Sequence, residues 1–301
     1  ALGGTEARPR SRVLVAGASG RSGVEVVRAL LGDGRFEPVL QSRGLATRDE
    51  SADGLKAFVC DVTSPDAVST LTEALRKYQV NSVVCTLGFV PKFSGAGEDR
   101  LGMDAVDHRG VVALIEAAEA AHLAGRFVLV SSLLVPVLET SPGSDTIEAA
   151  LGSWKPPNLS ARMLNSLGGV VEAKAASEAR LRASKTLDWT IIRPGVFVDS
   201  PQGGLIVGGA GRFTGESELD GRGLGHPVNQ CKSPFFASSG AVCGITRAQL
   251  GEVCALVLTD PVASRNTLEV VARPDAASLA EGHLLTSAIR SQRKPYQNRP
   301  L

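Results

Sequence analysis

Residues 12–34 read RVLVAGASGRSGVEVVRALLGDG, and this stretch decides the fold of the chain. It opens with an apolar run, Val13 to Ala16, of the kind found in strands that are buried on both faces. Three glycines follow in the spacing G-x-x-G-x-x-G, and behind them valines and leucines recur at helical spacing. The stretch therefore predicts a buried strand, a tight turn and a helix, in that order.

The glycine turn is of the kind that binds phosphate. Glycines let the backbone approach a pyrophosphate closely, and the N–H groups at the start of the following helix can bind it. We therefore predict a dinucleotide-binding turn, with a turn needed only for packing as the alternative. The residues predicted to contact the dinucleotide here are Gly17, Ala18, Ser19, Gly20, Arg21, Ser22 and Gly23.

The residues after the second predicted strand indicate which dinucleotide binds. That strand, residues 36–40, runs into the sequence QSRG. A carboxylate at this place usually binds the ribose 2′-hydroxyl of NAD, whereas an arginine suits the 2′-phosphate of NADP. Arg43 stands here, with Ser42 beside it and Arg21 in the glycine turn, so the sequence favours NADP(H) over NAD(H). An ordinary solvated loop arginine is the alternative for Arg43.

Strand and helix patterns continue to alternate along the chain. KAFVCDV (56–62), SVVCTLG (82–88) and FVLVSSL (127–133) each contain an apolar strand that runs into small or polar residues. This predicts an α/β fold with a Rossmann-type, doubly wound parallel sheet, in which ligands bind at the carboxyl ends of the strands. The further residues predicted to contact the cofactor at these ends are Asp61, Val62, Thr86, Leu87 and Gly88.

We predict one nucleotide-binding domain at residues 12–273, preceded by a flexible segment (1–11) and followed by a basic, solvated tail (274–301). Residues 199–244 are dense in Gly, Ser and Pro, which predicts a long loop that builds a small C-terminal substrate or lid region. The first residue is not Met and there is no signal-peptide pattern, which is compatible with a removed targeting peptide.

Composition argues against several classes of function. The net charge is +1 at pH 7 and aromatic residues make up 4% of the 301 residues, so nothing favours nucleic-acid binding. No apolar run is long enough for a transmembrane segment. The five cysteines form no C-x-x-C pair and the four histidines are scattered, so no metal site is predicted. An odd number of cysteines in a chain of this size argues for a soluble, reducing compartment.

Several segments together resemble a known family. They are GASGRSG (17–23), VDHRG (106–110), RFVLVSSL (126–133), the helix around Lys174 and TIIRPG (190–195). The chain resembles the NmrA-like branch of the atypical short-chain dehydrogenases/reductases, and is most similar to plastid members such as the dehydrogenase-like component of the chloroplast inner-envelope translocon. The resemblance runs from about residue 12 to residue 273. It implies a chloroplast location, in the stroma or associated with thylakoids.

The resemblance implies roles for residues at matching positions. Lys174 would bind the hydroxyls of the nicotinamide ribose, and Ser132 would stand where a serine polarises the substrate carbonyl. The residues implied to line the nicotinamide end of the groove are Pro194, Gly195, Val196 and Phe197. A snorkelling or ion-paired structural lysine is the alternative for Lys174, and Glu178 lies one helical turn further on.

The chain departs from the family pattern at the catalytic acid. Ordinary members carry a tyrosine four residues before the lysine, and here that residue is Val170. Neither Tyr78 nor Tyr296 is followed by a lysine four residues later. One hypothesis is an NADPH-dependent oxidoreductase that acts on an unknown small molecule and takes its proton from the lysine, water or the substrate. The other is a non-catalytic NADP(H)-sensing scaffold or assembly factor in a plastid protein complex.

Overall fold

The structure is a computed structural model, and it describes residues 9–44, 54–91, 96–135, 169–201, 203–209 and 244–273. The tail at 274–301, most of the segment at 1–11 and most of the loop region at 199–244 lie outside the described residues. The predictions made for the two terminal segments, and for the undescribed part of the loop region, therefore stay predictions.

Eight strands form one sheet in the order β3-β2-β1-β4-β5-β6-β8-β7. The strands are β1 (Ser11–Ala16), β2 (Phe36–Ser42), β3 (Lys56–Val59), β4 (Ser82–Cys85), β5 (Arg126–Val130), β6 (Asp188–Pro194), β7 (Gly204–Gly209) and β8 (Asn266–Arg273). All neighbouring strands pair in parallel except β7, which runs antiparallel to β8 at one edge. The predicted doubly wound, Rossmann-type sheet is confirmed.

Helices cover both faces of this sheet. They are α1 (Arg21–Asp33), α2 (Ala67–Lys77), α3 (Ala96–Met103), a π-helical segment (Asp104–Gly110), α4 (Val111–Ala120), α5 (Val170–Ala183), α6 (Arg247–Val257) and a 3₁₀ turn (Pro261–Ala263). The hydrophobic core has two layers, one on each face of the sheet, and alternate residues of β1 point into each of them. Val13 and Val15 belong to the core on the side of α1 and α6, whereas Leu14 and Ala16 belong to the core formed with α2, α4 and α5. Among the described helices, none has the length and apolarity needed to cross a membrane.

Strand β7 corrects the prediction that residues 199–244 are a long loop. Its apolar residues, Leu205 to Val207, lie between glycines and make a run of only three, which is shorter than the run that indicates a buried strand. The strand forms because β8, much later in the chain, offers it an antiparallel partner along its whole length. The sheet is therefore mixed, with one antiparallel edge strand.

Helices α1 and α6 pack directly against each other at Gly251. A Cβ atom added to Gly251 would lie 2.6 Å from the carbonyl oxygen of Glu25 and 3.1 Å from the Cβ of Ala29. Only a hydrogen atom fits at this contact. The close approach brings the first turns of α1 and α6 together at the carboxyl edge of the sheet.

We expect Gly251→Ala to lower the free energy of unfolding by about 1–3 kcal/mol, because the added methyl group would force the two helices apart. Urea denaturation of the purified chain measures this. Gly32→Ala is the matched control, since Gly32 lies in α1 and a Cβ there would meet nothing within 4 Å. That control should raise the stability by about 0.5–1 kcal/mol. Equal unfolding free energies for the two variants would contradict the tight helix contact.

Candidate dinucleotide-binding site

The strand order defines where a ligand can bind. After β1 the chain builds β2 and β3 on one side of β1, and it then crosses to build β4, β5 and β6 on the other side. In sheets of this type, ligands bind in the crevice at the carboxyl ends of the strands where the order reverses. The glycine turn after β1 and the residues 86–88 after β4 both leave the sheet at this point.

Hydrogen bonds to Gln41 fix the glycine turn. The Gly17 N–H donates to Gln41 Oε1 at 3.0 Å, and the Ala18 N–H donates to the Gln41 carbonyl at 3.0 Å. The Gln41 amide in turn donates to the Cys60 carbonyl at 2.7 Å. Gln41 is fully buried, so these bonds are shielded from water. One side chain therefore ties the turn to the ends of β2 and β3.

Two glycines of the turn occupy positions that exclude a larger residue. Gly17 has a φ of +78°, a left-handed conformation that favours glycine. At Gly23, a Cβ would lie 2.2 Å from the Gly17 carbonyl oxygen and 2.8 Å from the Ala18 Cα. Helix α1 can therefore begin directly against the turn. Gly20 caps the helix without a side-chain bond, and the first turn of α1 contains no acidic residue. The N–H groups at this helix start are suited to a phosphate.

The part of the crevice beyond β2 and β3, where the sequence predicts contacts with the adenosine, carries a positive charge. Arg43 is exposed just beyond β2, and the neighbouring Ser42 is buried with its hydroxyl donating to the Gly44 carbonyl at 2.9 Å. The Asp61 carboxylate accepts bonds from the N–H and hydroxyl of Thr63 at 2.9 and 2.7 Å. These bonds, with the nearby charge of Arg43, lower the pKa of Asp61. Asp61 thus shapes the turn after β3.

Val62 contributes to packing at the same end. It is buried, and a Cβ on Gly110 would lie 2.7 Å from its side chain. Gly110 is the last residue of the π-helical segment, and π-helical turns occur frequently at functional sites. The glycine of the VDHRG motif therefore lets the helix approach the residues that follow β3.

The loop after β4 closes onto the glycine turn. The N–H and the hydroxyl of Thr86 both donate to the Ala16 carbonyl, at 3.0 and 2.8 Å. The Phe89 N–H donates to Asp107 Oδ2 at 2.7 Å, and Gly88 lies close to the same carboxylate. Asp107 is buried, with 2% of its surface exposed. The predicted contact residues Thr86, Leu87 and Gly88 are thereby held between β1 and the π-helical segment.

Lys174 reaches this loop from α5. Its ammonium nitrogen lies 2.9 Å from Asp107 Oδ1, and 18% of its side chain is exposed. The Ser177 hydroxyl donates to the Asp107 carbonyl at 2.6 Å and draws the two helices together. Lys174 is thus ion-paired, but its partner is Asp107 and not Glu178.

The ion pair controls the protonation of Lys174. Burial alone would lower its pKa, but the Asp107 carboxylate opposes this through its charge and a hydrogen bond, and the pKa lies above its ordinary value of 10.5. The lysine is therefore a fixed positive charge at neutral pH. The neighbouring Cys85 is the opposite case, because burial raises the pKa of its thiol to about 12 and keeps it neutral.

Glu178 belongs to a separate buried cluster. Its carboxylate accepts bonds from Arg193 Nε at 2.9 Å and Nη2 at 2.6 Å, and from Arg182 at 2.6 Å. Burial would raise the pKa of Glu178, but the charges of Arg193 and Arg182 outweigh it and the pKa lies below its ordinary value. Arg193 also lies 3.8 Å from Glu269 on β8. The cluster fixes α5 to β6 and β8.

The residues that the resemblance implies at the nicotinamide end lie in segments that follow β5 and β6. Ser132 is half-buried just after β5, and the next residue, Leu133, donates its N–H to the Pro194 carbonyl at 3.0 Å. The Gly195 N–H donates to the Val270 carbonyl at 2.8 Å, and the Val196 carbonyl accepts from the Ile245 N–H at 2.9 Å. The implied residues 194–197 are thus fixed at the same edge of the sheet as Ser132.

This arrangement is that of a doubly wound domain with a dinucleotide crevice, and comparisons with known proteins agree. A family model described as NAD(P)H-binding matches residues 17–220, more than half of the chain. The chain belongs to this NAD(P)H-binding family. An uncharacterized chloroplastic protein of Arabidopsis thaliana is 30% identical over 205 residues, which cover 65% of this chain and 62% of that protein. The chain thus matches less than two thirds of the plant relative.

Solved structures show the same fold. A protein from Bacillus halodurans described as an NAD-dependent epimerase/dehydratase has a TM-score of 0.58 at 22% identity, covering 88% of this chain and 96% of that chain. An anaerobilin reductase from Escherichia coli O157:H7 has a TM-score of 0.56 at 18% identity, covering 89% and 99%. The UDP-glucose 4-epimerase of Thermus thermophilus, solved with NAD, has a TM-score of 0.51 at 19% identity, covering 83% and 75%.

Sequence reasoning missed two residues that organise the site, Gln41 and Asp107. Gln41 was visible only as the first letter of QSRG, and nothing in the sequence indicates that its side chain folds back under the glycine turn. Asp107 lies in the quoted VDHRG motif, but Asp104, His108 and Arg109 stand in the same segment, and nothing in the sequence marks Asp107 as the acid that is buried. Among the described residues, no group of three or more His, Cys, Asp or Glu side chains could hold a metal ion.

We expect Asp107→Asn to move the pKa of Lys174 below 10.5, because burial would then be opposed mainly by the smaller charge effect of Glu178. NMR titration of the lysine side chains measures this. Because folding raises this pKa in the native chain, the ion pair stabilises the fold fully at pH values below 10.5, and the contribution disappears as the pH rises through the folded pKa. The variant should lose about 3 kcal/mol of stability at neutral pH.

Glu172→Gln is the matched control for this experiment. Like Asp107→Asn, it removes one negative charge, in this case from α5. Glu172 pairs at 3.6 Å with Arg100, whose side chain is 55% exposed. The pKa of Lys174 should stay above 10.5 in this control. An unchanged lysine titration in Asp107→Asn would contradict the assigned ion pair.

Proposed function

We propose that this protein binds NADP(H) and uses it for hydride transfer to or from a small molecule. We choose NADP(H) because of the residues at the end of β2. These are Gln41, Ser42 and Arg43, and none of them is acidic. Among the described residues, Arg43 has no carboxylate within 4.0 Å and no hydrogen-bond acceptor. An exposed, unpaired guanidinium is suited to charge-assisted bonds with a 2′-phosphate.

The chain's own residues fit the rest of the dinucleotide. Gly23 lets α1 begin directly against the glycine turn, because a Cβ there would lie 2.2 Å from the Gly17 carbonyl oxygen, and the start of α1 offers N–H groups for the pyrophosphate. Lys174 has three N–H donors, and only one is needed for Asp107, so the others can bind ribose hydroxyls. When it is bound, the dinucleotide supplies the hydride chemistry, and the protein supplies binding and orientation.

Among the residues that the structure describes, no side chain stands in the place of the usual proton donor. Val170 stands at the usual position of the tyrosine, and the Tyr78 hydroxyl donates to the Ala57 carbonyl at 3.3 Å, near the amino end of β3 and far from the crevice. Lys174 is a poor acid at neutral pH because its pKa is raised. We therefore propose that water or the substrate supplies the proton, and that Lys174 orients the ribose while Ser132 contacts the substrate.

A non-catalytic NADP(H) sensor or assembly factor is the second candidate, and the valine at position 170 is the observation that favours it. A sensor must bind the oxidised and reduced dinucleotides with different affinities, because a ligand shifts an equilibrium only by its differential affinity.

For the oxidoreductase we expect NADPH consumption with at least one member of a panel of carbonyl and alkene substrates. A tenfold or larger difference between the Kd values for NADPH and NADP⁺, with no consumption on the panel, would favour the sensor instead.

A chloroplast location is part of the proposal. It is supported by the similarity to a chloroplastic plant protein, and the buried, unpaired thiols of Cys60, Cys85 and Cys254 are compatible with a reducing compartment. Immunodetection in isolated plastids of the source organism tests it, and recovery of the protein only outside plastids would contradict it.

We expect Arg43→Ala to weaken NADPH binding by about 10- to 100-fold, because bonds to a charged phosphate contribute about 1.5–3 kcal/mol. NADH binding should stay unchanged, since NADH has no 2′-phosphate. Isothermal titration calorimetry with both dinucleotides measures this. Arg28→Ala is the control, as it removes an exposed arginine of α1 whose partner is Glu25. Equal losses for NADPH and NADH in Arg43→Ala would refute the 2′-phosphate role.

A further inference from the structure

The arginines of the described chain fall into two groups. Most of them pair with a carboxylate within 4.0 Å or donate to a backbone carbonyl. Among the described side chains, only Arg10, Arg21, Arg43 and Arg247 do neither. Arg10 precedes β1 at the amino edge of the sheet, whereas the other three stand at the carboxyl edge, after β2 or at the first residue of a helix. Unpaired arginines thus accumulate along the crevice.

Of the three arginines at the carboxyl edge, Arg247 is the one to which no role has been assigned. Its guanidinium carbon lies 4.6 Å from the centre of the Phe197 ring, so the side chain is stacked on the segment that lines the nicotinamide end. It is half-buried, and burial together with the charge of Arg21 lowers its pKa, although the charge of Asp199 acts in the opposite direction. An arginine remains protonated despite such a shift. Arg247 and Arg21 are thus two like charges at the starts of α6 and α1, with the carboxylate of Asp199 as the acidic group that also acts on Arg247.

The backbone around Arg247 is fixed. The preceding residue, Thr246, caps α6 by accepting from the Gln249 N–H at 3.1 Å, and Gln249 donates from its side chain to the Gly203 carbonyl at 2.9 Å. The Ile245 N–H donates to the Val196 carbonyl at 2.9 Å, which joins α6 to the end of β6. The contact at Gly251 then sets the first turn of α6 beside that of α1. Arg247 and Arg21 are thus presented from two rigid helices.

We propose that Arg247, stacked on Phe197, and Arg21 together bind the pyrophosphate of the dinucleotide from its nicotinamide side. This rests on the proposed function. The start of α1 is where a pyrophosphate binds in this fold. Arg247 stacks on Phe197 and begins α6, the helix that packs against α1 at Gly251. A diphosphate between the two guanidiniums would remove their mutual repulsion, and each guanidinium can bind phosphate oxygens with two parallel bonds.

Three ligands that differ in their phosphate groups can distinguish the role of Arg247 from that of Arg43. NADPH contains both the pyrophosphate and the 2′-phosphate, NADH contains only the pyrophosphate, and 2′-AMP contains only the 2′-phosphate. In Arg247→Ala we expect the Kd values for NADPH and NADH to rise equally, by about 10- to 100-fold, while the Kd for 2′-AMP stays unchanged. In Arg43→Ala the Kd values for NADPH and 2′-AMP should rise, and that for NADH should not.

Two milder variants test the stacked geometry. Arg247→Lys keeps the charge without the planar guanidinium, and Phe197→Leu keeps the arginine without its aromatic platform. Each should weaken NADH binding by about 2- to 5-fold, because this is the loss of affinity expected when one cation–π contact at a partly exposed site is removed. Arg28→Ala, which removes an equal charge elsewhere on α1, should bind as the native chain does. Far-UV circular dichroism and thermal melts confirm that each variant is folded.

Three results would overturn the inference. Unchanged NADPH and NADH affinities in folded Arg247→Ala and Arg247→Lys would show that Arg247 does not contact the dinucleotide. An anionic substrate would then be the remaining candidate ligand for Arg247. A selective loss of 2′-AMP binding would move Arg247 to the adenosine end. If the native chain bound neither NADPH nor NADH, the proposed function itself would fail, and this outcome is recognised before any variant is made.

Discussion

The crevice depends on the contact between Gly23 and the carbonyl of Gly17. A side chain at residue 23 would place its Cβ 2.2 Å from that oxygen, so the first turn of α1 lies against β1 only because a hydrogen atom stands there. Gly17 adopts a left-handed conformation, and Gln41 holds both Gly17 and Ala18 from below. Together these contacts aim the start of α1 at the carboxyl ends of β1 and β4. The positions of Arg21 and, through the α1–α6 contact, Arg247 follow from this placement.

A second constraint acts on the nicotinamide side. Lys174 and Glu178 project from one helix into two different ionic clusters, one with Asp107 and one with Arg193. The first cluster reaches the loop after β4, and the second reaches β6 immediately before Pro194. Buried pairs of this kind are costly to break, because the remaining charge is left without a partner. Helix α5 is therefore fixed relative to both walls of the crevice, which suits a site whose task is orientation.

The sequence predicted those features that are encoded locally. The glycine turn and the alternation of strands and helices are short patterns, and the doubly wound sheet follows from them. The partners of Lys174 and Arg247 could not be predicted in the same way. Asp107 meets Lys174, and Arg247 meets Phe197, only after distant segments have packed. Strand β7 was missed for a related reason, since three apolar residues between glycines become a strand only beside β8.

The most direct measurement is a crystal structure of the chain with NADP⁺ bound. We expect the pyrophosphate at the start of α1 beside Gly20 and Arg247, the 2′-phosphate in contact with Arg43, and the nicotinamide ribose at Lys174. A dinucleotide bound away from the glycine turn, or bound there with its adenosine beside Lys174, would contradict both the direction of binding and the roles assigned to these residues.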